Sequence, residues 1–255
     1  MTNISFAFAD SKDEEDIRQL LSECELPHKD ISGHLPHFIL AQDESGLVGT
    51  VGLEVIDTFG MLRSLAVRPF HRNQGIGKAL YNRALGYAHI EGIKRLYLLT
   101  ITAEAYFSRL GFERIERGRT PASVQNTEQF RSLCPSTAVC MTRDIENEPH
   151  YYPEEVLRLR SDVKGASMWG VALDKTMFTY FEVEPNSRFE EHSHESEQIT
   201  MVLEGVLLFE SGEQVISVKE GEVIAIPSNV PHAVFTEHDP AKAVDAWSPV
   251  MGIYK

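Results

Sequence analysis

The chain has 255 residues, 42% of them hydrophobic and 24% charged, and a formal net charge of −14. That length suits two domains, and the mix supplies a globular core, which excludes a disordered chain, a collagen and a disulfide miniprotein. The acidic balance argues against nucleic-acid and anionic-membrane partners. No apolar run reaches the roughly 18 residues of a membrane helix. Residues 1–10 lack a basic region before their apolar part and do not read as a secretory signal. Cys24, Cys134 and Cys140 make no disulfide framework, so a reducing cytoplasm is the expected compartment.

In chain order, residues 4–9 form a short apolar run. Ser11 can cap a helix with an acidic first turn and an apolar stripe of Ile17, Leu20 and Leu21. Strands are expected over 37–41 and 47–56, joined by a turn at 43–46, and over 61–67. Ile76, Leu80, Ala84 and Tyr87 give helical spacing across 75–90. A strand over 95–101, a short helix over 103–110 and a strand over 137–143 complete an α/β pattern. After a polar stretch with two prolines the period becomes two. Strands are expected over 176–183, 199–203, 206–209, 214–218 and 223–226, with turns at 210–213 and 219–222 between them, the pattern of a sandwich or small barrel. The charge divides as well. Residues 1–145 carry 16 basic and 18 acidic side chains, and residues 146–255 carry 8 and 20, balances of −2 and −12. The expected organisation is a mixed α/β domain over 1–145, a linker over 146–160 and an all-β domain over 161–255.

The first chemical signal is Arg72-Asn73-Gln74-Gly75-Ile76-Gly77-Lys78, placed after a strand and at the opening of a helix. Two glycines let backbone N–H groups approach an anion, and a helix start favours negative charge. No Asp or Glu occurs from 58 to 90, while Arg63, Arg68, Arg72, Lys78 and Arg83 do. His71 is a further candidate for phosphate contact. The alternative is a helix start that merely needs a tight turn. The spacing is neither that of a dinucleotide fold nor that of a P-loop.

With Leu65-Ala66-Val67-Arg68-Pro69 before this loop and Leu110-Gly111-Phe112 after it, residues 3–144 resemble the GNAT acetyltransferase superfamily. Arg131-Ser132-Leu133-Cys134-Pro135-Ser136-x-Ala138 is similar to the small N-acetyltransferases of arsenic-resistance operons. The resemblance implies that residues 72–78 hold the diphosphate of acetyl-CoA and that a backbone N–H among Leu65, Ala66 and Val67 meets the developing oxyanion. It also implies a small-molecule amine as acceptor. Transfer further needs a base for the amine and an acid for the leaving thiolate. Glu54, inside an apolar strand, is the candidate base, with an outward-facing strand carboxylate as the alternative. The family's acid position falls on Phe107, so its neighbour Tyr106 is the candidate acid and water the alternative. Arg119, Arg131 and Cys134 are candidates for the acceptor pocket.

The second signal is Glu191-His192-Ser193-His194, followed by Gln198, Gly205, Gly221, Pro227 and His232. Histidines at i and i+2 on a strand share a face and can share a metal. The spacings resemble the two cupin motifs over 165–250, with Gln198 in place of the usual Glu and Asn229 in place of a Gly. The resemblance implies a jelly-roll barrel in which His192, His194, Gln198 and His232 hold a divalent ion (Zn, Ni, Fe, Mn or Cu). Four neutral ligands leave the ion its full charge, which suits a small polar or anionic ligand. Open coordination positions suit Lewis-acid chemistry. By the same resemblance the expected assembly is a homodimer. The rival to an acetyltransferase with a metal-binding partner domain is a sugar-acid isomerase, or a ligand sensor, centred on the cupin with an accessory acyl-CoA-binding module.

Overall fold

A computed structural model describes residues 4–252, apart from the side chains of Asp162 and Val163. Part of the opening segment read above, residues 1–3, lies outside the described residues. The chain divides into two compact units, Met1–Val156 and Leu157–Lys255.

The first unit runs β1 (Ser5–Phe8), α1 (Glu14–Glu23), β2 (Phe38–Asp43), β3 (Gly46–Ile56), β4 (Phe59–Val67), α2 (Ile76–Ile90), β5 (Arg95–Thr100), α3 (Glu104–Arg109), β6 (Glu113–Arg114), α4 (Ala122–Gln125) and β7 (Val139–Asp144). Its seven-stranded sheet has the order β1-β2-β3-β4-β5-β7-β6. Among the described residues only β4 and β5 of this sheet pair parallel. A parallel pair needs a crossover, and α2 provides it. The apolar stripe of α2 (Ile76, Leu80, Ala84, Tyr87) packs with Ile39, Val51, Leu53 and Leu62 on one face of the sheet. Ile17, Leu20 and Leu21 of α1 meet Phe38 and Leu40 in a second cluster. Asp10, not Ser11, is the capping residue, and it caps the short 3-10 turn Ser11–Asp13 that leads into α1. Its side chain accepts from the Lys12 N–H while Asp13 accepts from the Asp10 N–H, a reciprocal pair that a serine one position later does not form.

Residues 146–156, assigned above to a linker, lie along α2. Gly86 faces them so closely that a Cβ there would sit 2.8 Å from both Pro153 Cδ and the Tyr151 carbonyl. His150 stacks on His89 at 3.7 Å between ring centroids, Glu155 pairs with Arg83, and Val156 joins the core. The two prolines that suggested a linker instead shape a strap.

The second unit is all β: β8 (Arg160–Val163), β9 (Ala166–Ala172), β10 (Met177–Val183), β11 (Arg188–His192), β12 (Glu197–Glu204), β13 (Val206–Ser211), β14 (Gln214–Lys219), β15 (Val223–Ile226), β16 (His232–Phe235) and β17 (Ala241–Ser248). Two antiparallel sheets form, of order β15-β12-β17-β10-β9-β8 and β11-β16-β13-β14. Met168, Phe181 and Val202 of the first meet Leu207, Phe209 and Val218 of the second. The architecture is a jelly-roll of two packed sheets, without a continuous closed barrel.

Candidate active site and metal centre

In the first unit the site begins where β4 and β5 part. They pair only over Phe59–Met61 with Arg95–Tyr97, while β4 continues to Val67. On the other side of β4, the pairing with β3 slips between Gly52↔Arg63 and Thr50↔Ala66. Ser64 absorbs the extra residue with a left-handed φ of 55°. Such a bulge turns the following peptide groups out of the ladder. This feature was missed in the sequence, because serine gives no signal for positive φ. The backbone of Leu65, Ala66 and Val67 therefore borders the gap between the parting strands.

Against this gap stands the start of α2. Asn73 (φ 62°) and Gly75 (φ 83°) are both left-handed, and Gly75 is the capping residue. Nothing lies within 4 Å of a Cβ built on Gly75, so the glycine serves backbone conformation and not close packing. The helical ladder opens with Ala79 N–H to the Gly75 carbonyl, leaving the N–H groups of Ile76, Gly77 and Lys78 free of helical acceptors. That concave row of donors fits an anion. Arg72 Nε donates to the Val67 carbonyl at 3.0 Å and ties the loop to β4.

The acid-free stretch of the sequence does not make an uncompensated basic patch. Arg63 pairs with Asp30, Arg68 with Glu23, and Arg83 with Glu155, all brought from elsewhere in the chain. Exposed Arg72 and Lys78 remain at the loop. His71 is turned away to Asp43, with Nε2 3.0 Å from Oδ2.

The one-residue offset on α3 resolves simply. Phe107 enters the core against Phe112. Tyr106 directs its hydroxyl at the first turn of α2, 3.3 Å from where a Cβ on Gly77 would lie, and Val67 Cγ2 is 3.8 Å from the same point. Among the described residues this buried hydroxyl has no hydrogen-bond partner. Burial pushes its pKa up, with Arg109 opposing, so it stays protonated at neutral pH.

Glu54 does not face open solvent. Its Oε2 lies 3.9 Å from Arg63 Nη1 and 4.0 Å from His34 Nε2. The fully buried Arg63 grips Asp30 through two bonds of 2.5 and 2.6 Å. Burial raises the Asp30 pKa, but the Arg63 bonds outweigh it and the carboxyl is held below its usual range. The set His34–Glu54–Arg63–Asp30 lies on the face of β3 and β4 opposite α2. Cys134 is half-buried beside it, its thiol pKa pushed up by burial against the pull of Arg117 and Arg63. Cys140 is pushed up to about 11 by burial. Neither is a ready thiolate, and both are free. Arg119 is exposed and paired with Glu116, and Arg131 is exposed.

In the second unit the imidazoles of His192, His194 and His232 converge, with one ring nitrogen from each within 4.8 Å of the others. The ladder places them: His192 of β11 is directly opposite His232 of β16. The turn before His232 is fixed by Asn229, left-handed at φ 62°, whose N–H donates to the His194 carbonyl. Gly205 is also required, because at φ 78° a Cβ would meet the Pro240 carbonyl at 2.4 Å. Each Nδ1 reaches a backbone carbonyl: Glu190 for His192, Ser196 for His194, Val230 for His232. Those bonds place the proton on Nδ1 and leave each Nε2 lone pair for the centre. His232 Nε2 is buried and has no partner among the described residues. Burial, aided by the other two imidazoles against the Val230 bond, lowers the His232 pKa and keeps the ring neutral.

Gln198 joins them. Its Oε1 lies 3.2 Å from His194 Nε2, two lone-pair atoms face to face, an arrangement a cation between them would relieve. Its Nε2 donates to Thr200 Oγ1 (2.9 Å), which donates to Asp245 Oδ1 (2.5 Å). Burial pushes the Asp245 carboxyl up to about 7, against its bonds with Thr200 and Gln198. Neither Thr200 nor Asp245 was picked out from the sequence, and only the strand register joins them to the site. The donor set, with its orphaned Nε2, fits a divalent metal of the imidazole-loving kind. Glu191, Glu195 and Glu197 are exposed at the rim.

The first unit thus sets an amide-lined helix start beside a parallel strand pair that parts, and the second gathers three imidazoles in a jelly-roll. Residues 5–112 match the acetyltransferase (GNAT) family model, and residues 179–247 match the cupin domain model. An uncharacterized N-acetyltransferase of Chlorobaculum tepidum is 27% identical over 113 residues, 44% of this chain and 70% of that protein. N-acetylglutamate synthase from Neisseria gonorrhoeae, solved with coenzyme A and N-acetyl-glutamate, aligns at 22% identity with a TM-score of 0.50. The alignment covers 56% of this chain and 35% of the synthase, so the chain spans about a third of that enzyme's length. An RmlC-like cupin from Shewanella frigidimarina aligns at 15% identity and a TM-score of 0.40 over 44% of this chain and all of that one. The first unit is thus similar to GNAT acetyltransferases and the second to cupins. Among the described residues no helix is long and apolar enough to cross a membrane.

Proposed function

We propose that the first unit transfers an acetyl group from acetyl-CoA to a small-molecule amine by direct attack. The amides of residues 75–78 would take the diphosphate, with Arg72 and Lys78 beside them. Glu54 would receive the amine proton, directly or through one water. A backbone N–H among Leu65, Ala66 and Val67 would hold the oxyanion as the carbonyl becomes tetrahedral. The Tyr106 hydroxyl would then protonate the departing thiolate. The observation that carries this reading is the Tyr106 hydroxyl, buried, without a partner among the described residues, and aimed at the first turn of α2 beside Val67. Acetyl-CoA is expected to raise the melting temperature, and a panel of amines to release free thiol from it. Absence of both at millimolar acetyl-CoA overturns the reading.

For the second unit we propose a divalent metal held by His192, His194, Gln198 and His232, in a pocket for a small polar or anionic ligand. Bound there, the metal would supply Lewis acidity. The chain's own residues fix the ligand atoms: three backbone carbonyls set the imidazole tautomers. The isomerase reading for sugar acids belongs to this site and is tested with unsaturated uronates on metal-loaded protein. The free cysteines suit a reducing cytoplasm.

A further inference from the structure

Gln198 can serve a metal only through its oxygen, because the amide nitrogen has no free lone pair. The two ends of a carboxamide are nearly equal in size, so something must choose which end faces the histidines. The structure makes the choice from behind. Gln198 Nε2 donates to Thr200 Oγ1, and Thr200, which has a single hydroxyl proton, gives it to Asp245 Oδ1. With its one proton given to Asp245 Oδ1, the Thr200 hydroxyl can only accept from Gln198, and so it fixes the direction of the amide. The three side chains are 5%, 1% and 5% exposed. The relay is built into the ladder, where Thr200 of β12 lies directly opposite Asp245 of β17. Among the described residues no basic side chain bonds to Asp245. A buried carboxylate without a cation is costly, and its bonds with Thr200 and Gln198 offset only part of that cost. The ligand set in front of it is, in turn, neutral.

We infer that Asp245, acting through Thr200, is the positioning residue of the metal centre. It turns the Gln198 oxygen toward the imidazoles. This rests on the reading of the imidazole cluster as a divalent metal centre.

The test uses the full chain and Co(II), with affinity read by chelator competition and geometry by the visible absorption bands. Asp245→Asn and Thr200→Val are expected to weaken Co(II) binding about 10- to 100-fold and to change the bands, while Thr200→Ser keeps both. Asp245→Asn should leave the metal-free protein as stable as the parent or more so, whereas a purely structural aspartate would destabilise it. In a Gln198→Glu background the two ends of the side chain are alike, so Thr200→Val should lose most of its effect on affinity. Parent-like affinity and bands in both Asp245→Asn and Thr200→Val overturn the inference. So does a Thr200→Ser as weak as Thr200→Val, or a Thr200→Val effect that persists undiminished in the Gln198→Glu background. A parent chain that binds no Co(II) overturns the metal-centre reading itself, a distinct result.

Discussion

At the residue scale, Tyr106 separates chemistry from binding. Its hydroxyl has no partner to satisfy among the described residues, so its removal costs little stability, while a departing thiolate loses its proton donor. Tyr106→Phe is expected to lower kcat about 100-fold, leave KM for acetyl-CoA nearly unchanged, and leave the melting temperature within a degree or two. Steady-state kinetics and a thermal melt check it; an unchanged kcat assigns the proton to water. The two loop glycines respond differently. Gly75 has room for a methyl group but a φ of 83° that a side chain resists, so Gly75→Ala should cost about 1 kcal/mol of stability and weaken acetyl-CoA binding together. At Gly77 the methyl carbon would come within 3.3 Å of the Tyr106 hydroxyl. Gly77→Ala should therefore resemble Tyr106→Phe in kcat and the parent in stability. Denaturant unfolding with parallel kinetics separates the two variants.

At the element scale, α2 carries the phosphate loop at one end and the strap at the other. His89 is buried under His150, and burial first, then that neighbour and Arg143, lowers its pKa to about 4. The unfolded chain binds this proton near pH 6.5, the folded one only near 4, so the unfolded state holds more protons between those values. His89 thus contributes stability in full above about pH 6.5 and loses it as the pH falls toward 4, by about 2–3 kcal/mol. Replacing it with Phe, which keeps the stack, is expected to flatten the stability–pH curve of the first unit over that window. Denaturant unfolding at several pH values reads it, and an unchanged slope refutes it.

The elements also differ in how well the sequence announces them. The helix over 75–90 and the strands of the first unit were legible because bulky apolar residues repeat at clear periods. The strand β17 was not, although it lies between β12 and β10 in the six-stranded sheet. Its inward residues are Ala241, Ala243, Asp245 and Trp247, and a small residue or a carboxylate at an inward position hides a strand's period. The strand bearing His192 was legible from the i, i+2 pair alone, without its bounds, and β16, four residues long, was legible only as the position of His232. The GNAT loop and the cupin ligands were legible as spacings. The bulge at Ser64, the Glu54–Arg63–Asp30 set and the Thr200–Asp245 relay depend on neighbours that only folding brings together. Arg63 and Asp30 are 33 residues apart in the chain, and Thr200 and Asp245 are 45 apart, and a linear pattern does not carry that information.

At the scale of the whole molecule, each unit has its own apolar core: three clusters in the first, one in the second, among the described residues. Their charge is unequal too, since the span beyond residue 145 holds most of the net −14. Separate cores predict separate melting, because a ligand stabilises only the unit whose folded state binds it. Calorimetry of the full chain should therefore show two transitions. Acetyl-CoA at about 100 times its Kd should stabilise one by roughly 2.7 kcal/mol, and a divalent metal at the same excess should do so for the other. His232→Ala should abolish the metal shift and spare the acetyl-CoA shift, and Gly75→Ala should weaken only the latter. If instead one ligand raises both transitions, binding in one unit stabilises the other, and the cupin becomes a sensor coupled to acetyl transfer, since linkage then requires acetyl-CoA to tighten metal binding by the same factor.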